Sequence, residues 1–394
     1  MKKIPVEELK PGMKFNKPVY IDSNNMFVSA NVEINENDIK KLMKWGVTNI
    51  ETAGLLISAG ARFQPKNEIN YNHIENSNAD NIIRDYENLL KKRKSLIEVH
   101  KAACKAMEEI HNAIKNDKIF TTEKLEISLN KIIKLMQGNN NIFLFLYGLD
   151  EGKNYLMFHS INVTFYAILI GLALQFSSSK LRELGLGTLL IDAGMAKMPI
   201  YITHKQSNLT EQEFNLIKTH PLLGYTALQQ LGKVKERISI VSLQHHEQYD
   251  GKGYPRGLKG NQINEYSRIA SIADCYEAQI VQRSYRKKQL FYHAMKDLLA
   301  SGVNKFDPVI LRTFLSKMSV YPIGSLVQLN DGCIGLVIGS VPEKPLRPII
   351  KLIFDKNQNK ITKHIILNLL TETSLFITRA LEENEKGINL YEIL

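Results

Sequence analysis

The chain has 394 residues, 44% hydrophobic and 23% charged, an ordinary composition for a soluble globular protein of two or three domains with sizeable cores. The formal net charge of +11 rests on 39 Lys against 12 Arg; nucleic-acid faces favour the bidentate Arg fork, so the excess reads as lysine bias that suits an anionic ligand and argues against a nucleic-acid partner. Cys104, Cys275 and Cys333 lack CxxC spacing, which excludes a disulfide framework and a zinc ribbon.

The opening residues, MKKIPVEELKPGM, carry no apolar core of signal-peptide length. Residues 1–75 read as a small α+β domain. Lys14–Ile21 and Met26–Ile34 look like strands around the turn Asp22-Ser-Asn-Asn25. A helix over Glu36–Trp45 stops at Gly46, and Val47–Glu51 is strand-like. The stretch from Pro65 to Asp80 is polar and Asn-rich, a linker composition.

Residues 76–150 read as a helical connector. Ile82, Ile83, Tyr86, Leu89, Leu90, Leu96, Ile97 and Val99 recur at helical spacings, and a second helix opens near Thr121. Packing on the next domain is the expected role; a dimerising seam, giving an oligomer, is the alternative. Tyr155–Gln175 has the length of a membrane span, but His159, Ser160, Asn162 and Thr164 interrupt it. The apolar run Phe165–Leu174 is only about ten residues, against the roughly 20 needed to cross a bilayer. A buried helix is expected, in a cytoplasmic protein with no membrane span. Residues 151–318 read almost entirely as helices, with a capping box at Thr210-x-x-Glu213. Residues 319–394 read as a β-rich appendage, open or closed into a barrel, with strand-like runs at Gly324–Leu329, Ile334–Ser340 and Pro348–Phe354.

Inside the helical block lie His159, His220, His245 and His246 with Asp192 and Asp274. Imidazole and carboxylate together suit a first-row divalent metal such as iron or manganese. One segment is more specific than the cluster: His245-His246-Glu247-Gln248-Tyr249-Asp250-Gly251-Lys252-Gly253-Tyr254-Pro255-Arg256-Gly257-Leu258-Lys259-Gly260 joins a His pair to a glycine-dense loop that lets backbone approach a ligand. It resembles the HD-GYP family signature HHExxDGxGYPxGLxG without departure. The resemblance extends over roughly Asn154–Lys288. It includes His159 with Ser160, Asn162 and Val163, then His220-Pro221-x-x-Gly224. It closes with Arg268-Ile-Ala-x-Ile-Ala-Asp274-x-Tyr276-x-Ala278 followed by Arg283-x-Tyr285-Arg286.

The resemblance implies a mainly α fold, an HD-type helical bundle between the two small appendages. It implies a metal-dependent phosphodiesterase that hydrolyses cyclic di-GMP to pGpG, and in many members onward to GMP. It also implies GGDEF-type diguanylate cyclases as partners. By position, His159 and Asp274 hold one metal, His220 with His245 or His246 the other, and Asp192 bridges them. Asp192, His245 and His246 are the expected catalytic residues. Arg283, Arg286, Tyr254 and Gly253 are the expected substrate-binding ones.

The departure lies in the pair that names the family. Where His-Asp-x-Gly-Lys-x-x-x-Pro is expected, the chain has Ile191-Asp192-Ala193-Gly194-Met195-Ala196-Lys197-Met198-Pro199. Isoleucine cannot ligate a metal, so one of two expected sites is weakened. Met195 removes a positive charge, and Lys197, about 200° further round a helix, reads as a surface lysine. Tyr155 stands where members with a third metal carry Glu, which limits the count to two. Two readings follow: a phosphodiesterase with a lopsided two-metal site, favoured by the retained ligands and loop, or a catalytically impaired receptor for a cyclic dinucleotide or signalling partner.

Overall fold

In the computed structural model, which describes residues 2–22, 25–28, 30, 32–44, 47–57, 79–137, 155–203, 205, 207, 209–280, 291–318, 320–340, 344, 346–361 and 365–381, the chain divides between Tyr71 and Asn72 into two units.

The first unit holds β1 (Lys2–Pro5), β2 (Lys14–Phe15), β3 (Val19–Asp22), β4 (Asn25–Val28), helix α1 (Glu36–Lys44), β5 (Asn49–Thr52) and β6 (Leu56–Ile57). Four strands form an antiparallel sheet in the order β1-β5-β3-β4, and β2 pairs with β6. The expected strand Lys14–Ile21 is broken at Pro18, which lacks a ladder N–H. The next ends at Val28, and Ile34 instead bridges Met13 as an isolated pair. Asn35 and Asp38 cap α1 reciprocally, each side chain accepting from the other's backbone N–H at 3.0 and 3.2 Å. Ile39 and Leu42, one turn apart, then pack on Val6, Phe15, Val19 and Ile50.

The second unit begins, among the described residues, with α2 (Ala79–Lys115) and α3 (Glu123–Met136). In α2, Leu96, Val99, Ala103, Met107, Ile110 and Ile114 are all buried. Their spacing of three and four residues makes one continuous stripe. It packs on α3 and on α4 (Tyr155–Ala173). Every residue of α4 from His159 to Gly171 is buried. This helix is long and apolar enough to cross a membrane, but 72% of its most apolar window lies inside the protein, where it is the central post of the bundle. Around it stand α5 (Ser178–Leu189), α6 (Ile200–Thr203), α7 (Glu211–Ile217), α8 (His220–Gln230), α9 (Glu236–Gln244), α10 (Glu265–Ile280), α11 (Phe291–Lys305) and α12 (Pro308–Lys317). The capping box opens α7 as expected, with Glu213 accepting from the Thr210 N–H at 2.7 Å and Thr210 from the Glu213 N–H at 3.3 Å.

Five antiparallel strands complete the unit: β7 (Leu326–Leu329), β8 (Ile334–Gly339), β9 (Ile349–Phe354), β10 (Ile366–Asn368) and β11 (Ile377–Leu381), in the order β10-β9-β8-β7-β11. Gly332 turns the β7–β8 hairpin at φ +94°, a left-handed conformation that glycine adopts freely. The edge strands β10 and β11 are not paired with each other among the described residues, so the sheet is open there. These two strands were not expected from the sequence, being short and without clear alternation. The architecture is otherwise the expected one: mainly α, with a small α+β unit before the bundle and a β-rich unit after it.

Candidate metal centre

His159 projects from α4 and is fixed from behind. Its Nδ1 donates to Glu277 Oε2 at 2.5 Å, and Asn162 Nδ2 donates to Glu277 Oε1 at 3.1 Å. Glu277 is fully buried on α10, one turn beyond Asp274. With Nδ1 so engaged, His159 Nε2 points to Asp274 Oδ1 at 3.0 Å and to Asp192 Oδ2 at 3.6 Å.

The other oxygen of Asp192 faces a second group. His220 stands at the start of α8 and His245 at the end of α9, and their Nδ1 atoms donate to the carbonyls of Ile217 and Ser242, each at 2.8 Å. A ring nitrogen that donates to a carbonyl carries the proton, so in the neutral ring the lone pair sits on Nε2. The two Nε2 atoms face each other at 3.2 Å, and lie 3.3 and 3.8 Å from Asp192 Oδ1. His246 joins them, with one ligand atom of each ring lying within 4.8 Å of the others. Lone pairs converging at that distance on a carboxylate oxygen are a donor set for a cation.

The charge states agree with that chemistry. Burial opposes ionisation of Asp192, but the hydrogen bond and charge of His220, with His159 and His245, outweigh it and hold the carboxyl well below the usual range. Burial likewise opposes Asp274, and His159 overcomes it. Burial pushes His245 and His246 down, each helped by a neighbouring imidazole, so both rings stay neutral near pH 7. Burial also opposes the charge on His159, yet Glu277 and Asp274 carry it well above its ordinary value. Ionised Asp192 and Asp274 and neutral His245 and His246 are in the forms that bind a metal, whereas His159 would have to give up a proton to do so.

Backbone contacts hold the elements in place. A Cβ on Gly194 would lie 1.9 Å from the His220 carbonyl oxygen, and one on Gly224 would lie 2.8 Å from the Gly194 nitrogen. The turn Ala193–Lys197 and the first turn of α8 therefore touch backbone to backbone. Ser242 Oγ ties α9 to the same place by donating to the Ile191 carbonyl at 2.8 Å. In the glycine-rich loop, buried Glu247 accepts from the backbone N–H groups of Arg256 and Leu258 at 2.7 and 3.0 Å. Gly253 backs onto it, since a Cβ there would lie 2.3 Å from the Gln248 nitrogen. The loop so shaped stacks Tyr254 on His246, with ring centroids 4.7 Å apart, and Lys218 Nζ lies 5.7 Å from the Tyr254 ring centre.

All six expected ligands, His159, Asp192, His220, His245, His246 and Asp274, meet at this centre, and Tyr254 stands beside it. Arg283 and Arg286 lie outside the described residues. Ile191 is fully buried. Lys197 is not a free surface lysine: its Nζ lies 2.6 Å from Asp117 Oδ1. Glu277, which fixes His159, carried no expected role. Glu277 is signalled by its place three residues after Asp274 on an otherwise apolar helix face.

A helical bundle with a buried His/Asp cluster bridged by one carboxylate defines the class, and comparison agrees. Residues 136–310 match the HD domain family, and residues 326–388 match the KOW domain associated with HD domain. Cyclic di-GMP phosphodiesterase PA4108 of Pseudomonas aeruginosa is 34% identical over 214 residues, 54% of this chain and 51% of that protein. Cyclic di-GMP phosphodiesterase PdeB of Borreliella burgdorferi is 26% identical over 314 residues, 78% of this chain and 81% of that protein. The chain thus spans about half the length of the first of these and most of the second. Among solved structures, Bd1817, an HDG"Y"P protein from Bdellovibrio bacteriovorus, is similar at 17% identity and a TM-score of 0.47, covering 80% of this chain and 98% of that one. The match to the HD domain family covers residues 136–310, the segment that holds all six residues of the His/Asp cluster.

Proposed function

We propose that the protein is a metal-dependent phosphodiesterase that hydrolyses a 3′–5′ phosphodiester of cyclic di-GMP to give pGpG, with GMP the product of any second cut. The observation that carries this reading is the placement of Asp192. Its two oxygens face separate groups: Oδ2 faces His159, which also meets Asp274, and Oδ1 faces His220 and His245, which His246 joins. The names of PA4108 and PdeB point to the same substrate.

On this reading His159, Asp274 and Asp192 would hold one divalent ion, iron or manganese, and Asp192 with His220, His245 and His246 would hold a second. Bound ions would supply Lewis acidity, activating water and sharing the charge that develops at phosphorus. The chain's own groups do the rest. Asp192 stays ionised between the two sets. His245 and His246 stay neutral, and Tyr254, stacked on His246, lines the approach to the centre. Gly253 keeps the loop close, and Arg283 and Arg286 neutralise a phosphate oxygen or contact a guanine edge. A cytoplasmic location, GGDEF-type diguanylate cyclase partners and a second copy meeting through α2 belong to the same proposal.

The test is purified protein with Mn²⁺ or Fe²⁺ and cyclic di-GMP, with pGpG and GMP followed by chromatography. Turnover that disappears in Asp192→Ala, while circular dichroism is unchanged, is the expected result. Tight binding of cyclic di-GMP without turnover under any divalent metal would identify a receptor instead.

A further inference from the structure

The turn after Asp192 offers no free cation. Met195 is half-buried and apolar, and Lys197 on the same turn is spent on Asp117 at 2.6 Å. Nearby in the chain, Lys205 is spent on Glu213 at 2.6 Å and Lys252 on Asp250 at 3.5 Å. A phosphodiester arrives with its negative charge already formed, so an unspent cation beside the centre has a use.

Lys218 is such a cation. It closes α7, its N–H donating to the Phe214 carbonyl at 3.0 Å, and stands two residues before His220 of the cluster. The His220 backbone lies against Gly194, so Lys218 enters from the segment packed on the turn that holds Met195. Its ammonium lies 4.6 Å from the Phe214 ring centre and 5.7 Å from that of Tyr254. The Tyr254 ring in turn lies 4.7 Å from His246. Asp192, Asp274 and His246 are the partly exposed members of the cluster, while His159, His220 and His245 are buried. The open side of the centre therefore includes His246, and Tyr254 and then Lys218 extend from it. Lys218 is half-buried and has no carboxylate partner among the described residues. The two ring faces hold the ammonium without neutralising it and leave its donors for a stronger acceptor, such as a phosphate oxygen.

We propose that Lys218 is a substrate-binding residue of the centre. Its ammonium pairs with a non-bridging phosphate oxygen of the phosphodiester and supplies the charge that Met195 does not. The inference rests on the phosphodiesterase reading and is independent of the two guanines.

The experiment compares Mn²⁺-loaded full-length protein with Lys218→Met, Lys218→Arg, and Lys218→Met combined with Met195→Lys. Values of kcat and KM for cyclic di-GMP are measured at low and high salt, with bound metal and thermal unfolding as controls. Lys218→Met should raise KM roughly tenfold to a hundredfold, the worth of a hydrogen bond to a charged group. It should also flatten the dependence of KM on salt, while metal content stays native. Lys218→Arg should keep most of the affinity, and adding Met195→Lys to Lys218→Met should recover part of what was lost. An unchanged KM in Lys218→Met overturns the proposal. So does an equal loss in Lys218→Arg with native salt dependence, which would make the side chain a prop for Tyr254. The same proteins are assayed on bis(p-nitrophenyl) phosphate, a phosphodiester without guanine. A native chain that cuts this ester and not cyclic di-GMP, with KM raised by Lys218→Met, would leave the lysine in place and remove the dinucleotide as substrate.

Discussion

At the scale of single residues, the centre depends on groups that would never touch a metal. His159 could rotate its ring or exchange tautomers; Glu277 prevents both by accepting from Nδ1, and Asn162 holds Glu277 in turn. A ligating histidine fixed through its other nitrogen by a carboxylate is more basic and better oriented. Glu277→Gln keeps the volume and removes the charge, so the fold should persist while metal affinity on that side falls roughly tenfold to a hundredfold. Equilibrium dialysis with Mn²⁺ measures this; an unchanged affinity would show that the buried pair serves packing alone. Glu247 plays a comparable part for the loop, spending both carboxylate oxygens on backbone N–H groups rather than on the centre.

At the scale of elements, the contact between the turn Ala193–Lys197 and α8 leaves no room for a side chain. Gly194→Ala would set a Cβ against the His220 carbonyl at 1.9 Å, and that neighbour is backbone, which cannot swing aside. Overpacking of this kind costs about 1–3 kcal/mol. It should also displace His220, so urea unfolding and metal content should fall together. Helix α2 carries a different test. Burial holds His100 at about 4, below its ordinary 6.5. Between those values the unfolded chain takes up a proton that the folded chain refuses. Stability is therefore complete above about pH 6.5 and declines as pH falls toward 4, by up to about 3 kcal/mol. His100→Leu should show a shallower loss between pH 7 and 5 in urea titrations, and parallel curves would refute the assignment. Legibility followed the same physics. The glycine-rich loop and the His/Asp cluster were readable because their chemistry restricts residue type at fixed spacing. Glu277 had only a weak signal, its place three residues after Asp274 on an otherwise apolar helix face, and its partners His159 and Asn162 come from a distant helix that only packing brings near. The strand break at Pro18 could have been read from the missing N–H, whereas the isolated pairing of Ile34 with Met13 depends on a distant segment.

At the scale of the whole molecule, the matched family segment and the physical unit have different limits. The HD domain match begins at residue 136, but the compact unit runs from Asn72 to Leu394 and includes α2 and α3. The buried stripe of α2 explains why. Leu96, Val99, Met107, Ile110 and Ile114 are each withdrawn from water against α3, α4, the turn after Asp192 and strand β8. At about 2 kcal/mol per large apolar side chain, their burial amounts to something on the order of 10 kcal/mol, an upper figure yet comparable to the net stability of a typical domain. Removing α2 would expose that surface on the remaining bundle as well. Two truncations separate the possibilities. Loss of residues 1–71 removes only the first unit, so the remainder should unfold cooperatively at nearly the native temperature and bind the native amount of metal. Loss of residues 1–118 removes α2, and the product should be aggregation-prone or lack a cooperative transition, with its metal content reduced. If the shorter chain, starting at 119, instead melts cooperatively and binds metal as the full chain does, α2 is an accessory to the bundle. Metal binding that survives in the longer truncated chain and fails in the shorter would make the connector helix part of the domain that builds the centre.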